Sequence, residues 1–165
     1  LYSQSKTKPI KTKKMKKTIL LLSIVLVSFT AFSFAADAPV ISKNVISSFN
    51  KQFSNARDIK WELQANFVKA QFSINDMVLF AYFNNSGELI AVTRFISPSQ
   101  LPLEILTSLK KSYAEYWVSD LFEIQTESGT SYYATIENAI QVIVLKSEGT
   151  SGWQTFQREK KAQVE

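Results

Sequence analysis

Apolar and polar positions alternate along residues 67–74, where Val68, Ala70, Phe72 and Ile74 are separated by Lys69, Gln71 and Ser73. That period of two predicts a β-strand with one buried and one wetted face. Residues 77–83 are apolar on both faces, the pattern of a strand covered on both sides, and are expected in the middle of the sheet. Between these runs Asn75-Asp76 has the chemistry of a hairpin turn. A second reversal is predicted at Asn84-Asn85-Ser86-Gly87, because Asn and Gly tolerate positive φ. The chain then returns through residues 89–96, and the whole stretch reads as a meander.

Helical spacing frames that meander. Val45, Ile46, Phe49 and Phe53 recur at helical intervals within residues 42–55, with Ser42 placed to cap the start. Phe49 and Phe53 are four apart, so both rings share a side and would sit on a sheet. Residues 57–63 follow as a short strand with Ile59, Trp61 and Leu63 on one face. Downstream, Ser97-Pro98-Ser99-Gln100 breaks the strand pattern and Leu101-Pro102 opens a second helix, proline being well accommodated in a first turn. Leu101, Ile105, Leu106, Leu109 and Tyr113 form its apolar stripe, and Lys110 and Lys111 suit the dipole at its end. From Trp117 the period of two returns through Phe122, Ile124 and Thr126. Gly129 turns the chain into Tyr132, Ala134 and Ile136. Further strands are expected at residues 140–145 and 153–158, separated by the turn from Gly149 to Gly152. Residues 160–165 are expected to be a frayed polar tail.

The two halves, about 40–97 and 98–158, have the same order: helix, aromatic-bearing strand, hairpin, Gly-containing turn, final strand. Phe49-x-x-x-Phe53 matches Leu109-x-x-x-Tyr113, and Glu62-Leu63-Gln64 matches Glu123-Ile124-Gln125. The expected fold is therefore α+β: two tandem helix-plus-antiparallel-meander units joined edge to edge, with both helices packed on one face of an antiparallel sheet.

Charge changes the picture at one end only. Of nineteen Lys and Arg, seven lie before residue 18 and no acidic residue does, which leaves twelve against fourteen in the rest, a net of minus two. The excess positive charge therefore belongs to a leader and gives no reason to expect nucleic acid. Lys16-Lys17 followed by the apolar residues 18–34, with Ser33-Phe34-Ala35 at its end, has the form of a signal peptide over residues 15–35, cleaved after Ala35. The run is shorter than the roughly 20 residues that span a bilayer, so the membrane is expected to matter only during export to the periplasm or beyond. Residues 1–14 read as an upstream extension before Met15, and residues 36–165 as one domain.

Cysteine and histidine are both absent, which removes thiol nucleophiles, disulfides, Cys-type zinc sites and imidazole acid–base chemistry. Twelve Phe supply a core in their place.

Together, Val45-x-x-x-Phe49-x-x-x-Phe53-x-x-Ala56, the Trp61 strand, the run from Phe72 to Phe83, the Asn-Ser-Gly-Glu turn at 85–88 and Leu101-Pro102 before Lys111-Ser112-Tyr113 resemble the exported bacterial PepSY-like family, also described as beta-lactamase-inhibitor-like. The resemblance spans nearly all of the expected mature chain. It implies paired helix-plus-meander units like those of the secreted inhibitors of beta-lactamases, which bind their enzyme across a concave sheet.

Asp58, Glu62, Asp76 and Glu88 have no spacing that calls for a catalytic carboxylate pair, and no nucleophile–base pair is visible. No catalytic, metal or cofactor site is expected. Among the aromatics, Trp61 and Tyr132 alternate with apolar neighbours and are expected in packing. Tyr133 shares a face with Thr135 and Glu137, away from the helices, and Trp153 shares one with Thr155 and Gln157. These two are the expected protein-binding residues. The sequence thus points to a non-enzymatic exported binding module that engages another envelope or secreted protein through the exposed sheet face. The alternative is a carrier enclosing a small apolar ligand, which the number of Phe would allow.

Overall fold

The computed structural model describes residues 40–162. The expected leader, with its cleavage site, lies outside the described residues. In chain order the elements are α1 (Lys43–Gln52), β1 (Arg57–Leu63), β2 (Val68–Ile74), β3 (Met77–Phe83), β4 (Leu89–Phe95), a 3-10 turn (Pro98–Gln100), α2 (Leu103–Ser112), β5 (Trp117–Thr126), β6 (Gly129–Glu137), β7 (Gln141–Glu148) and β8 (Gln154–Lys160). The eight strands form one antiparallel sheet in sequential order, β1 to β8, a pure meander interrupted by α2 between β4 and β5. The fold class is α+β: two helices and an open antiparallel sheet.

Residues 77–83 are the third strand of eight, and the centre of the sheet falls at the β4–β5 pair instead. The expectation of a central position rested on β3 being apolar on both faces. That pattern arises because the helix-free face also packs apolar side chains, as described below.

Local chemistry explains the boundaries. The Ser42 Oγ accepts a hydrogen bond from the Val45 N–H at 3.3 Å and caps α1. Asn75 and Asp76 both have positive φ, 49° and 63°, as a two-residue turn between twisted strands demands. At the next reversal the Asn84 Oδ1 accepts from the N–H groups of Ser86 and Glu88 at 3.1 and 2.9 Å. Gly87 then sits at φ +94°, and a Cβ there would lie 2.9 Å from the backbone carbonyl carbon of Asn44. The β3–β4 turn is thus pressed against the first turn of α1.

Register fixes which faces the helices cover. Under α1, Val45 and Phe49 pack on Val68, Ala70 and Phe72 of β2 and on Ala81 and Phe83 of β3. Under α2, Ile105 and Leu109 pack on Leu121, Ala134, Ile136, Ile143 and Leu145. Ala81 pairs with Val92, and Val92 pairs with Gln125, which stands on the same side of β5 as Leu121. Both helices therefore lie on one face. Phe49 is the hub of the first cluster, its ring 5.2 Å from Phe53, 5.1 Å from Trp61 and 5.0 Å from Phe72. Aromatic pairs at such separations contribute about 0.5–1.5 kcal/mol each beyond area burial. Ile46, expected on the apolar stripe of α1, is exposed.

Gly87→Ala is expected to destabilise the fold by more than the roughly 1–3 kcal/mol of backbone strain alone, because the clash with Asn44 adds to it. Gly149→Ala, at φ +57° with nothing within 4 Å, carries the strain without the clash. Urea unfolding of the two variants checks the order, with Gly87→Ala the less stable.

Candidate functional site

The face that carries no helix among the described residues is built by the alternate residues of the same strands. Phe95 pairs with Phe122, Phe122 with Tyr133, and Tyr133 with Lys146, so these four side chains cross the sheet in one line over β4, β5, β6 and β7. The rings touch in sequence. Phe80 meets Phe95 edge-on at 6.0 Å, Phe95 meets Phe122 at 6.3 Å, Phe122 stacks on Tyr133 at 5.2 Å with planes 7° apart, and Tyr133 meets Phe156 at 5.9 Å. An aromatic row therefore runs across the sheet from β3 to β8.

Its members differ in accessibility. Tyr133 is only 2% exposed, enclosed by Phe122, Phe156 and Lys146. Phe95 is 58% exposed, and Val78 and Phe156 are also exposed. Burial, with Glu148 nearby, pushes the Tyr133 hydroxyl up to about 12, so it stays neutral at physiological pH. Tyr82, on the same face, is likewise raised by burial, opposed by its hydrogen bond with Thr93.

Three lysine–glutamate pairs border the rings. The Lys69 ammonium lies 5.2 Å from the Phe80 ring centre and 3.2 Å from Glu62. The Lys146 ammonium lies 6.0 Å from Tyr133 and 2.6 Å from Glu148. The Lys161 ammonium lies 5.0 Å from Trp117 and 2.6 Å from Glu137. Each lysine thus serves as a cation over an aromatic face and as an ion-pair partner. The arrangement of apolar rings inside a charged rim suits a macromolecular contact.

The two residues singled out from sequence are not brought together. Tyr133 lies on the helix-free face, between Phe122 and Phe156 in the aromatic row. Trp153 precedes β8 and packs on the helix side, where its Nε1–H donates to the Ile105 carbonyl of α2 at 2.8 Å. Trp61 packs against Phe49, and Tyr132 is half-buried in the cluster under α2. Sequence reasoning missed Phe95, Phe122 and Phe156. The signal was present in Leu121-Phe122, where apolar residues occupy both faces of one strand.

The carboxylates considered for chemistry are dispersed. Asp58 has φ +54° at the bulge of β1 and accepts from the Ser73 hydroxyl at 2.8 Å. Asp76 forms the β2–β3 turn, and Glu88 accepts from the Asn84 amide at 2.6 Å. Among the described residues no group of three or more His, Cys, Asp or Glu is placed to hold a metal ion. No described helix is long and apolar enough to cross a membrane.

No family model and no curated protein matches the chain. Among solved structures it is similar to a BLIP-like protein from Bacteroides fragilis, with a TM-score of 0.66 and 19% identity, covering 78% of this chain and 92% of that one. A DUF2874 family protein from Bacteroides ovatus matches with a TM-score of 0.65 and 17% identity over 76% of this chain and 89% of its own. A candidate periplasmic protein from Bacteroides eggerthii gives 0.65 and 11%, over 74% and 90%. The chain has the BLIP-like fold. The resemblance to beta-lactamase-inhibitor-like proteins read from the sequence holds at that level.

Lys161 holds the Glu137 carboxyl below its ordinary range, chiefly through their hydrogen bond. A depressed folded-state value means stability that is present in full above the unfolded value and lost as pH falls through the folded one. Glu137→Gln is therefore expected to lower the urea midpoint near pH 7 and to have a smaller effect near pH 2.5, closer to where the wild-type carboxyl takes up its proton. Asp120, raised by burial, has the opposite sign, so Asp120→Asn is expected to raise the midpoint near pH 7. Equilibrium unfolding at the two pH values checks both.

Proposed function

We infer that the protein is an exported, non-enzymatic binding module that engages another envelope or secreted protein through the helix-free sheet face. The observation that carries this reading is the aromatic row, in which the exposed Phe95 is held between half-buried Phe80 and buried Phe122. Rigid aromatic anchors surrounded by a polar rim are the anatomy of binding hot spots. The resemblance adds the expectation that BLIP-like proteins use their sheet for binding, and the pattern at residues 15–35, together with a candidate periplasmic neighbour, supports export.

The same reading treats the chain as a duplication of one helix-plus-meander unit. Its two helices are each ten residues and start sixty positions apart, at Lys43 and Leu103. Both end in the same way. The Phe53 N–H donates to Phe49 O and the Ala56 N–H to Phe53 O, and the Tyr113 N–H donates to Leu109 O and the Tyr116 N–H to Tyr113 O. A face assembled from both units, with its aromatic line crossing their junction at Phe95 and Phe122, supports one continuous binding surface.

Affinity capture from envelope extract with protein expressed from the full chain tests the proposal. Phe95→Ala is expected to weaken capture of a specific partner by at least about tenfold, the loss of a hot-spot side chain. Leu103→Ala, an exposed residue at the start of α2, is expected to leave capture intact. Equal retention by wild type and Phe95→Ala would remove the sheet face from the binding surface.

A further inference from the structure

Both edges of the sheet, β1 and β8, lack a neighbouring strand among the described residues, and they are differently equipped. The Gln64 N–H donates to the Phe67 carbonyl, which makes 64 and 67 a hydrogen-bonded pair. Counting back along the register Leu63↔Val68, Glu62↔Lys69, Trp61↔Ala70 and Lys60↔Gln71, the backbone groups of Lys60 and Glu62 point to β2. Those of Trp61 and Leu63 point out from the edge, and Ile59, at the end of the bulge between Arg57 and Lys60, follows by alternation from Lys60. Ile59 and Leu63 are 40% and 48% exposed, apolar side chains on a strand whose backbone is open for pairing. On β8 the Lys161 N–H donates to Ile140 O, and the same count leaves Arg158 and Lys160 with outward backbone groups. Charged edge residues of one sign discourage pairing with a second copy.

We propose that β1 is a self-association edge, and that a second copy of this chain adds to it as an antiparallel strand about a two-fold axis through Trp61. Antiparallel pairing of identical strands about an axis normal to the sheet sets each residue against one on the same face. Centring on Trp61 pairs Ile59 with the other copy's Leu63 and Lys60 with its Glu62, each twice by symmetry. The outward groups of Ile59, Trp61 and Leu63 then meet as hydrogen-bonded pairs. Moving the centre by one residue places Lys60 against Lys60 or Glu62 against Glu62, like charges directly opposed. Charge therefore disfavours the two registers one residue away. With the axis at Trp61 the sheet is continuous through both copies, and because the axis is normal to the sheet, both aromatic rows face the same way.

The test is a charge swap on protein expressed from the full chain. Sedimentation velocity at about 100 µM, sufficient to populate pairs with micromolar Kd, is expected to give a dimer for the wild type. Lys60→Glu alone and Glu62→Lys alone each create like-charge pairs and are expected to give monomers. The double variant K60E/E62K restores opposite charges and is expected to return the dimer, which a merely structural role for either residue would not do. A monomeric wild type, a dimer unaffected by the single changes, or a mass growing beyond the dimer overturns the proposal. Should a single variant fail to fold, I59C/L63C decides the matter. The chain has no cysteine of its own, and residues four apart on one strand lie about 13 Å apart, too far to bridge. Paired across the axis their Cα atoms would lie about 5.5 Å apart, within disulfide reach. Covalent dimer under mild oxidation is expected, and its absence overturns the register.

Discussion

Two ten-residue helices can cover only one face of an eight-stranded sheet, and the rest of the molecule answers to that constraint. On the covered face each helix presents two buried side chains, Val45 and Phe49 or Ile105 and Leu109, to a cluster of its own. The opposite face has no such cover among the described residues. Its strands nevertheless carry large apolar residues, and these shield one another by lining up across neighbouring strands, ring against ring. Tyr133 is buried in this way without any helix above it. Shielding of that kind is incomplete along the line, and Phe95 and Phe156 remain exposed.

Between the two helix-covered clusters lies a polar seam. Arg94 of β4 and Glu123 of β5 are cross-strand partners, and the guanidinium donates to both carboxylate oxygens at 3.1 and 3.2 Å. A forked pair of this kind has a fixed plane and distance. It ties the last strand before α2 to the first strand after it on the helix side, while Phe95 against Phe122 ties the same two strands on the other side. The central joint of the sheet is held by a charged contact on one face and an aromatic contact on the other.

Much of this was legible in the residues. The strand bounds at 57–63 and 77–83 and the Asn75-Asp76 turn followed from period and turn chemistry, because those signals are local. The Ser42 cap and the proline-led entry to α2 were readable for the same reason. What escaped was everything that depends on register between strands. Period two says that Phe122 and Ile124 share a face, but it is the two-residue turn at 127–128 that sets Phe122 against Tyr133 across β5 and β6. Trp153, expected like Tyr133 on the exposed sheet face, lies just before β8, where the alternation of the strand does not govern it, and packs on the helix side.

The three indoles report on three different parts of the fold. Trp61 rests on Phe49 and so on α1, Trp153 is hydrogen-bonded to the backbone of α2, and Trp117 stands exposed on the helix-free face under Lys161. Fluorescence is sensitive to the polarity around each ring, so the molecule carries a separate optical signal for the docking of each helix and for its open face. Proteins retaining one tryptophan at a time would therefore resolve whether the two helices leave the sheet together or one before the other, a question of cooperativity that a single averaged transition conceals.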